Sequence, residues 1–453
     1  MVTLSKNAIA PEYPPGPKGH WLWGILPDYV RDRLGFISYC AKEYGDVVLW
    51  KSPAFLTYLL NNPEYIEEVL VKKHNNFGRH KTFHILQRLW GTGLLTSTGE
   101  FWQRQRRLMQ PAFHRERIFA YGEVMVDYTK RLLSGWQAGE IRDIHAEMMH
   151  LTLEIVAKAL FGVDMASEVE KVGTAMQVSI EYFESRSTNL ILFFLPEWLP
   201  LPGNLRYHKV IDEFDQLIYR IIQQRRESSV DTGDLLSMLL QVQDEDGTRM
   251  SDKQVRDEIM TLLIAGHETT ALALSWGWYL LSQHPEVEQK LLAELQTVLG
   301  GRTPTVADLP QLVYTDRVIN EILRLYPPAW AISREAIQPC EIAGYHLRPG
   351  DGIVVSPWVM HRDPRYFPEP EVFNPDRWEG DLAKRLPTFA YFPFGGGPRI
   401  CIGQSFAKME AALLLATIVQ QFKLTLVPNQ EIVPWPAFTL RPKYGIKMLV
   451  NQR

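Results

Sequence analysis

Cysteine is scarce, with three in 453 residues. Cys40, Cys340 and Cys401 lie too far apart for a disulfide framework or a C-x-x-C zinc site, so a reduced compartment, the cytoplasm, is expected. Neither sign of charge prevails: 48 basic and 52 acidic side chains give a net charge of −4, which excludes a nucleic-acid-coating protein. Long hydrophobic runs are missing too. A spanning helix needs about 20 consecutive apolar residues, and the most apolar stretch, 190–202, is broken by Pro196, Glu197 and Pro200. That stretch reads either as a buried loop and helix end or as a peripheral contact with a bilayer or an entrance for an apolar ligand. Residues 1–18 lack a basic-then-apolar leader and run into Tyr13-Pro14-Pro15-Gly16-Pro17, an extended Pro-rich segment without a membrane anchor. Pro and Gly, 30 each, are scattered rather than gathered into a linker, and no repeat or low-complexity tract occurs. Residues 19–453 therefore read as a single domain.

What is present is the composition of an ordinary globular chain, 46% hydrophobic and 22% charged. Strand patterns lie near the ends, at 45–60 (hairpin-like), 341–356, 423–427 and 446–450. Between Pro63 and Leu325 the apolar period is mostly helical. The fold class is mainly α with small β-sheets. One helix outweighs the rest. Ser251-Asp252-Lys253-Gln254 is a capping box, and helical pattern continues to His284-Pro285. About 33 residues at ~1.5 Å each span about 50 Å, enough to cross the domain. Its centre is apolar except for Gly266-His267-Glu268-Thr269-Thr270, an island that costs free energy unless it serves something. His267-Glu268 opens an H-E-x-x-H zinc motif, but residue 271 is Ala, so that reading fails. Two readings stay open: a solvated notch, or an acid beside an alcohol, Glu268-Thr269, following Ala265-Gly266. There Gly266 lets the backbone open its hydrogen bonds and a ligand come close, an arrangement suited to relaying protons.

A second segment, Phe394-Gly395-Gly396-Gly397-Pro398-Arg399-Ile400-Cys401-Ile402-Gly403, precedes an amphipathic helix expected over 405–422. An isolated cysteine is usually a small buried hydrophobe. Here the glycines clear space around the sulfur for a flat ligand, Arg399 supplies a cation for a carboxylate, and the following helix N-terminus favours thiolate.

The segment F-x-x-G-x-R-x-C-x-G, filled by Phe394, Gly397, Arg399, Cys401 and Gly403, resembles the heme-ligating signature of the cytochrome P-450 family. Ala265-Gly266-His267-Glu268-Thr269-Thr270 resembles that family's oxygen-activating central helix. Glu321-Ile322-Leu323-Arg324 is similar to its E-x-x-R helix, Asn374-Pro375-Asp376-Arg377-Trp378 to its P-x-R-[FW] segment, and Trp102 to Arg106 to its W-x-x-x-R helix. These five motifs, in the family's order, cover residues 102–403. The resemblance implies a triangular helical prism with the long central helix over a heme b whose iron is ligated by Cys401, a donor that favours O–O cleavage. It implies propionate partners in Trp102, Arg106, Arg334 and Arg399, and heme contacts from Ala265, Gly266, Phe394, Gly397 and Gly403. Glu321, Arg324 and Arg377 would form a structural ion network rather than a catalytic one.

The implied activity is that of a monooxygenase, which activates O2 and hydroxylates a C–H bond of a hydrophobic small molecule, with Thr269 and Glu268 as the catalytic alcohol and acid. About 50 residues follow Gly403 without a further cysteine, so electrons are expected from a separate ferredoxin, flavodoxin or reductase; Arg104, Arg107 and Lys408 are candidate docking charges. A monomer is expected. By family position the pocket is walled by 74–90, 176–198, the central helix near Ala265, 329–332 and 436–440, largely apolar and aromatic. Phe55 and Leu59 stand where fatty-acid hydroxylases carry a carboxylate clamp, which favours a neutral terpenoid, carotenoid, alkane or steroid-like substrate. The alternatives are a peroxygenase or isomerase of the same fold and a non-catalytic heme sensor.

Overall fold

The computed structural model describes residues 13–52, 55–164, 168–228, 233–243, 247 and 249–453. The expectations for residues 1–12 and for Pro53 in the first hairpin turn lie outside the described residues. Helices of eleven residues or more are α1 Arg33–Tyr44, α2 Gly99–Met109, α3 Arg115–Ser134, α4 Ile144–Phe161, α5 Val169–Thr188, α6 Pro202–Ser228, α7 Asp252–Gln283, α8 Pro285–Leu299, α9 Val313–Leu325 and α10 Gln404–Gln421.

The capping box sets the start of α7: Ser251 Oγ accepts from the Gln254 N–H at 3.3 Å, and Gln254 Oε1 accepts from the Ser251 N–H at 2.8 Å. Pro285 ends the run. The resulting 32-residue helix packs against α4, α9 and α10. Its side chains from Val255 to Trp278 are buried all round except Ala265, Gly266 and Thr269, the pattern of a helix through the middle of a core. The expectation that Gly266 opens the backbone is corrected. The helix is continuous there, and the Thr269 and Thr270 hydroxyls donate back to the Ala265 and Gly266 carbonyls at 2.8 and 3.3 Å. Such bonds to the carbonyl four residues back can bend a helix, yet the run Asp252–Gln283 is unbroken through them.

The strands are short and assembled from distant segments. A five-stranded sheet has the order β1-β2-β8-β5-β3, comprising β1 Val47–Lys51, β2 Leu56–Leu60, β3 Phe77–Gly78, β5 Ile332–Ala336 and β8 Gly352–Val355. Its β1–β2 hairpin is the one expected over 45–60, and β2 runs parallel to β8. A three-stranded sheet joins β4 Ile141–Asp143, β12 Lys447–Gln452 and β9 Phe422–Leu426. The hairpins β6 Cys340–Ile342 with β7 Tyr345–Leu347, and β10 Pro434–Pro436 with β11 Leu440–Pro442, stand apart. Thus β3 and β4 interrupt the segment expected to be mostly helical; each is held by a partner far along the chain.

One buried ion cluster braces this framework. Glu321 and Arg324 on α9 meet through two 2.9 Å bonds, and Glu321 also accepts from Arg377 Nε at 2.8 Å and Trp378 Nε1 at 2.9 Å. Arg324 Nη1 donates to the His361 carbonyl at 2.9 Å. His361, held neutral because burial pushes its pKa well down, accepts from the Phe392 N–H at 2.9 Å. The network therefore ends at the segment that leads into Cys401.

The stretch 190–202 departs from the buried reading. Ile191, Phe194 and Trp198 are exposed, because the short helix Leu190–Phe194 lies on the outside after α5 ends. No helix of the described residues is long and apolar enough to cross a membrane.

Candidate active site

The loop before α10 is shaped by hydrogen bonds and by glycine. The Cys401 N–H donates to the Phe394 carbonyl at 3.0 Å and the Ile400 N–H to the Gly397 carbonyl at 3.1 Å. Gly397 has φ +66°, and a Cβ there would stand 2.0 Å from the Leu70 carbonyl oxygen, so only glycine fits. Cys401 keeps accessible surface, and the protein around its thiol takes it partly out of solvent. Burial raises the thiol pKa, opposed by the Gly403 N–H and the charge of Arg106. That pair of opposing influences suits a thiol that ionises on binding a metal.

The site has a second wall on α7. Residues 265 and 269, half-buried in its middle, share one face because residues four apart are neighbours on a helix; Gly266 points toward α4, where a Cβ would stand 3.2 Å from the Val156 side chain. α10 connects the two walls: it starts three residues after Cys401, and Glu410, about 9 Å along it, contacts Thr270 of α7.

Three arginines lie together without a carboxylate. The register of β3 against β5 pairs Phe77 with Ala336 and Gly78 with Glu335, which brings Arg79 opposite Arg334. Arg399 feels the charge of Arg334, and Arg79 that of both. Burial lowers Arg334 and Arg399 to about 10 and Arg79 well below its ordinary value, with the neighbouring charges adding to the effect for Arg79 and Arg399. None of the three forms an ion pair among the described residues. Arg79 Nε and Arg399 Nη1 are buried without a hydrogen-bond partner. Like charges placed across a sheet are destabilising, and orphaned guanidinium donors match an acidic group that accepts in pairs. The donor set thus fits a dianionic cofactor, and with the Cys401 thiol it fits a heme with two propionates.

The remaining expected residues fall as follows. Arg399 stacks over Trp102 at 4.3 Å and donates to the Ser97 carbonyl at 3.0 Å. Arg106 stands apart from the arginine trio. Its Nη1 donates to the Ile400 carbonyl at 2.9 Å, placing its charge beside Cys401. Glu268 is nearly fully buried and turned from the open face of α7. It accepts from Thr439 Oγ1 and, at 2.9 Å, from Arg441 Nε, with Arg441 Nη2 at 2.8 Å from the same oxygen. Burial alone would raise its pKa; Arg441, the Thr439 hydroxyl and His267 outweigh that and hold the carboxyl below its ordinary value. Thr269 and Glu268 are therefore adjacent in sequence but face different surroundings. Phe394 is half-buried, packed against the main core. Lys408 pairs with Asp316 at 2.8 Å beside a groove of about 1110 Å³ that includes Gly395, Gly396, Gly397 and Ile400.

Sequence reasoning missed Arg79, Thr439 and Arg441. For Arg79 the available signal was slight, a lone cation between Phe77-Gly78 and His80. For Arg441 it was a charge inside the apolar strand pattern near the C-terminus. The rings of Phe83, Trp90 and Phe183 meet Phe438 edge-to-face, with centroids 4.7 to 6.0 Å from it. Leu59 is sealed in the core and Phe55 packs on His80 and Lys81, so neither offers a carboxylate clamp.

Comparison with known proteins follows the same lines. A family model described as cytochrome P-450 matches residues 14–450. The chain is 40% identical over 440 residues to cyclooctatin synthase of Streptomyces melanosporofaciens, covering 93% of this chain and 94% of that protein. It is 36% identical to cyclooctat-9-en-7-ol 5-monooxygenase of the same organism, covering 95% and 94%. It is 35% identical to pentalenene oxygenase of Streptomyces avermitilis, covering 94% of each.

Proposed function

Because this chain belongs to the cytochrome P-450 family and is a heme-iron monooxygenase, we propose that its substrate is a cyclic terpenoid hydrocarbon or alcohol. The observation that carries the substrate class is the cluster of Phe83, Trp90, Phe183 and Phe438, an aromatic group drawn from three parts of the chain. Such a lining selects apolar shape; the cation beside it, Arg79 at 5.3 Å from the Phe83 ring centroid, is taken up by the cofactor in this reading. Relatives named for cyclooctat-9-en-7-ol and pentalenene, both terpenoids, support the same class.

The cofactor in this reading is heme b, with Cys401 as the axial ligand and Arg79, Arg334 and Arg399 holding its propionates. Bound heme supplies O2 activation and C–H oxidation, using electrons from a separate ferredoxin, flavodoxin or reductase. The protein does the rest. Arg106 keeps positive charge beside Cys401 and so favours its thiolate. Ala265 lets a flat group approach α7, while Gly266 lets α4 pack close at Val156. Thr269 Oγ1, whose hydrogen now goes to the Ala265 carbonyl, can swing that donor into the cleft and hold a proton there. The aromatic wall excludes water from the substrate.

The test is turnover with a surrogate ferredoxin, its reductase and NADPH across cyclic terpenes, carotenoids, fatty acids and steroids. A cyclic terpene is expected to give a substrate-type shift of the Soret band and a hydroxylated product that depends on NADPH. Selective oxidation of a fatty acid or steroid would overturn the substrate class. Turnover with peroxide alone, and none with NADPH, would favour the peroxygenase.

A further inference from the structure

Glu268 is clasped by the hairpin that also carries an aromatic wall residue. Thr439 and Arg441 bind its carboxylate, while Phe438, one residue before Thr439, is the ring on which Phe83, Trp90 and Phe183 converge. The rest of the hairpin is pinned from several directions. Arg33 Nη1 donates to the Pro436 carbonyl at 2.5 Å, Trp330 Nε1 to Ala437 at 3.0 Å and Trp276 Nε1 to Leu440 at 2.9 Å. The Leu440 N–H bonds the Pro328 carbonyl at 3.0 Å. No backbone hydrogen bond holds Phe438 or Thr439 among the described residues. A push on the Phe438 ring can therefore move only a two-residue tip, and that tip includes one of the two side chains binding Glu268.

We propose that the Phe438-Thr439 tip is a ligand-sensing latch on Glu268. A hydrophobic molecule seated against the aromatic cluster displaces the tip and takes the Thr439 hydroxyl off the carboxylate, while Arg441, beyond the pinned Leu440, stays in place. Glu268, held by one partner fewer, then takes up a proton more readily. Thr439 and Arg441 are positioning residues in this device, acting through Glu268. The inference rests on the proposed apolar-substrate reading of the site.

The forces on Glu268 supply the switch. Burial favours the neutral acid, whereas Arg441, Thr439 and His267 favour the carboxylate; losing the Thr439 hydroxyl shifts that balance toward the neutral acid. The other ionisable neighbour is His145 at the start of α4, next to Asp143. Burial, with Arg441 adding, lowers His145 to about 4, so it is neutral at pH 7 and does not replace the clasp. With the latch closed the acid stays ionised, so proton delivery waits for a bound substrate.

The experiment uses holoprotein with carboxyl-labelled glutamate and clotrimazole, a bulky triaryl imidazole whose binding is read from the Soret band. The Glu268 infrared band is identified by its absence in Glu268→Gln. On azole binding the wild-type carboxylate band is expected to shift or to give way to a protonated-acid band. In Thr439→Val, nearly isosteric and without the donor, the band is expected to be displaced before any azole is added. In Phe438→Leu the Soret shift persists while the Glu268 response is lost. An azole that shifts the Soret band but leaves the Glu268 band in place overturns the latch alone, as does a Thr439→Val band identical to wild type. An azole that leaves the Soret band unmoved overturns the reading of the site and the latch together.

Discussion

Glu410 offers a quantitative test of how the core is held together. It lies on α10 against α7, with no accessible surface and no well-formed hydrogen bond to either carboxyl oxygen. Burial raises its pKa from 4.5 to about 8, with Thr270 opposing weakly. The folded chain thus keeps a proton between about pH 4.5 and 8 that the unfolded chain has released. With more protons bound in the folded state, stability must fall as pH rises through that window, by about 1.4 kcal/mol per pH unit. From pH 5 to 8 the loss amounts to about 4 kcal/mol for this one group. Glu258, raised to about 8 by burial, acts in the same direction. His80 and His145, lowered to about 4 by burial, act oppositely between about pH 4 and 6.5. Comparing Glu410→Gln with wild type at each pH cancels those contributions. The amide has nearly the same shape and cannot ionise, so the variant should match wild type near pH 5 and exceed it by about 4 kcal/mol near pH 8. Denaturant unfolding of the holoprotein, followed by the Soret band and by far-UV dichroism at pH 5, 6, 7 and 8, measures the difference. Parallel profiles would refute the account, and a variant that loses ground as pH rises would reverse its sign.

Three further outcomes follow from the site. Thr269→Ala should keep consuming NADPH in the surrogate electron-transfer system while product falls about 100-fold and peroxide rises, in line with loss of a positioned proton donor; unchanged coupling removes Thr269 from the reaction. Arg79→Gln should relieve the crowding of like charges in the apoprotein yet speed the loss of heme to an excess of apomyoglobin, and an unchanged transfer rate would take Arg79 out of the heme site. Arg324→Met should destabilise the fold by about 3–5 kcal/mol because it leaves Glu321 buried and without its main countercharge; a urea midpoint close to wild type would show that Arg377 and Trp378 suffice.

The elements legible in the sequence are those with local causes. The capping box and Pro285 mark both ends of α7 within a few residues, and alternating residues around Ser52 mark the β1–β2 hairpin. Strands β3, β4 and β5 have no such signal. Each is two to five residues long and exists because of a partner elsewhere, so nothing nearby announces it. Arg79 shares that blindness: its importance comes from standing across from Arg334, more than 250 residues away, a proximity that only the β3–β5 register creates. The stretch 190–202 misleads for a different reason. Apolar content usually signals burial, yet in this connection between α5 and α6 Ile191, Phe194 and Trp198 stay outside.

The acid and alcohol at 268 and 269 show most clearly where adjacency in sequence departs from adjacency in space. At 3.6 residues per turn, consecutive side chains point about 100° apart. Thr269 therefore shares its direction with Ala265, four residues earlier, and both retain surface in the cleft. Glu268 is rotated toward the C-terminal hairpin, where Arg441, 173 positions later, binds it. A motif of neighbouring letters is thus divided by the helix into a residue that faces the cleft and one that faces a clasp. For the two to act in one proton path, something must bring Glu268 around or join it to Thr269 through the space between them. The clasp bears on when that can happen: the ionised acid takes up a proton more readily once the Thr439 hydroxyl has left it. The hairpin that holds this grip is also the one that carries Phe438, which ties the timing of proton delivery to the occupancy of the aromatic wall rather than to the sequence motif itself.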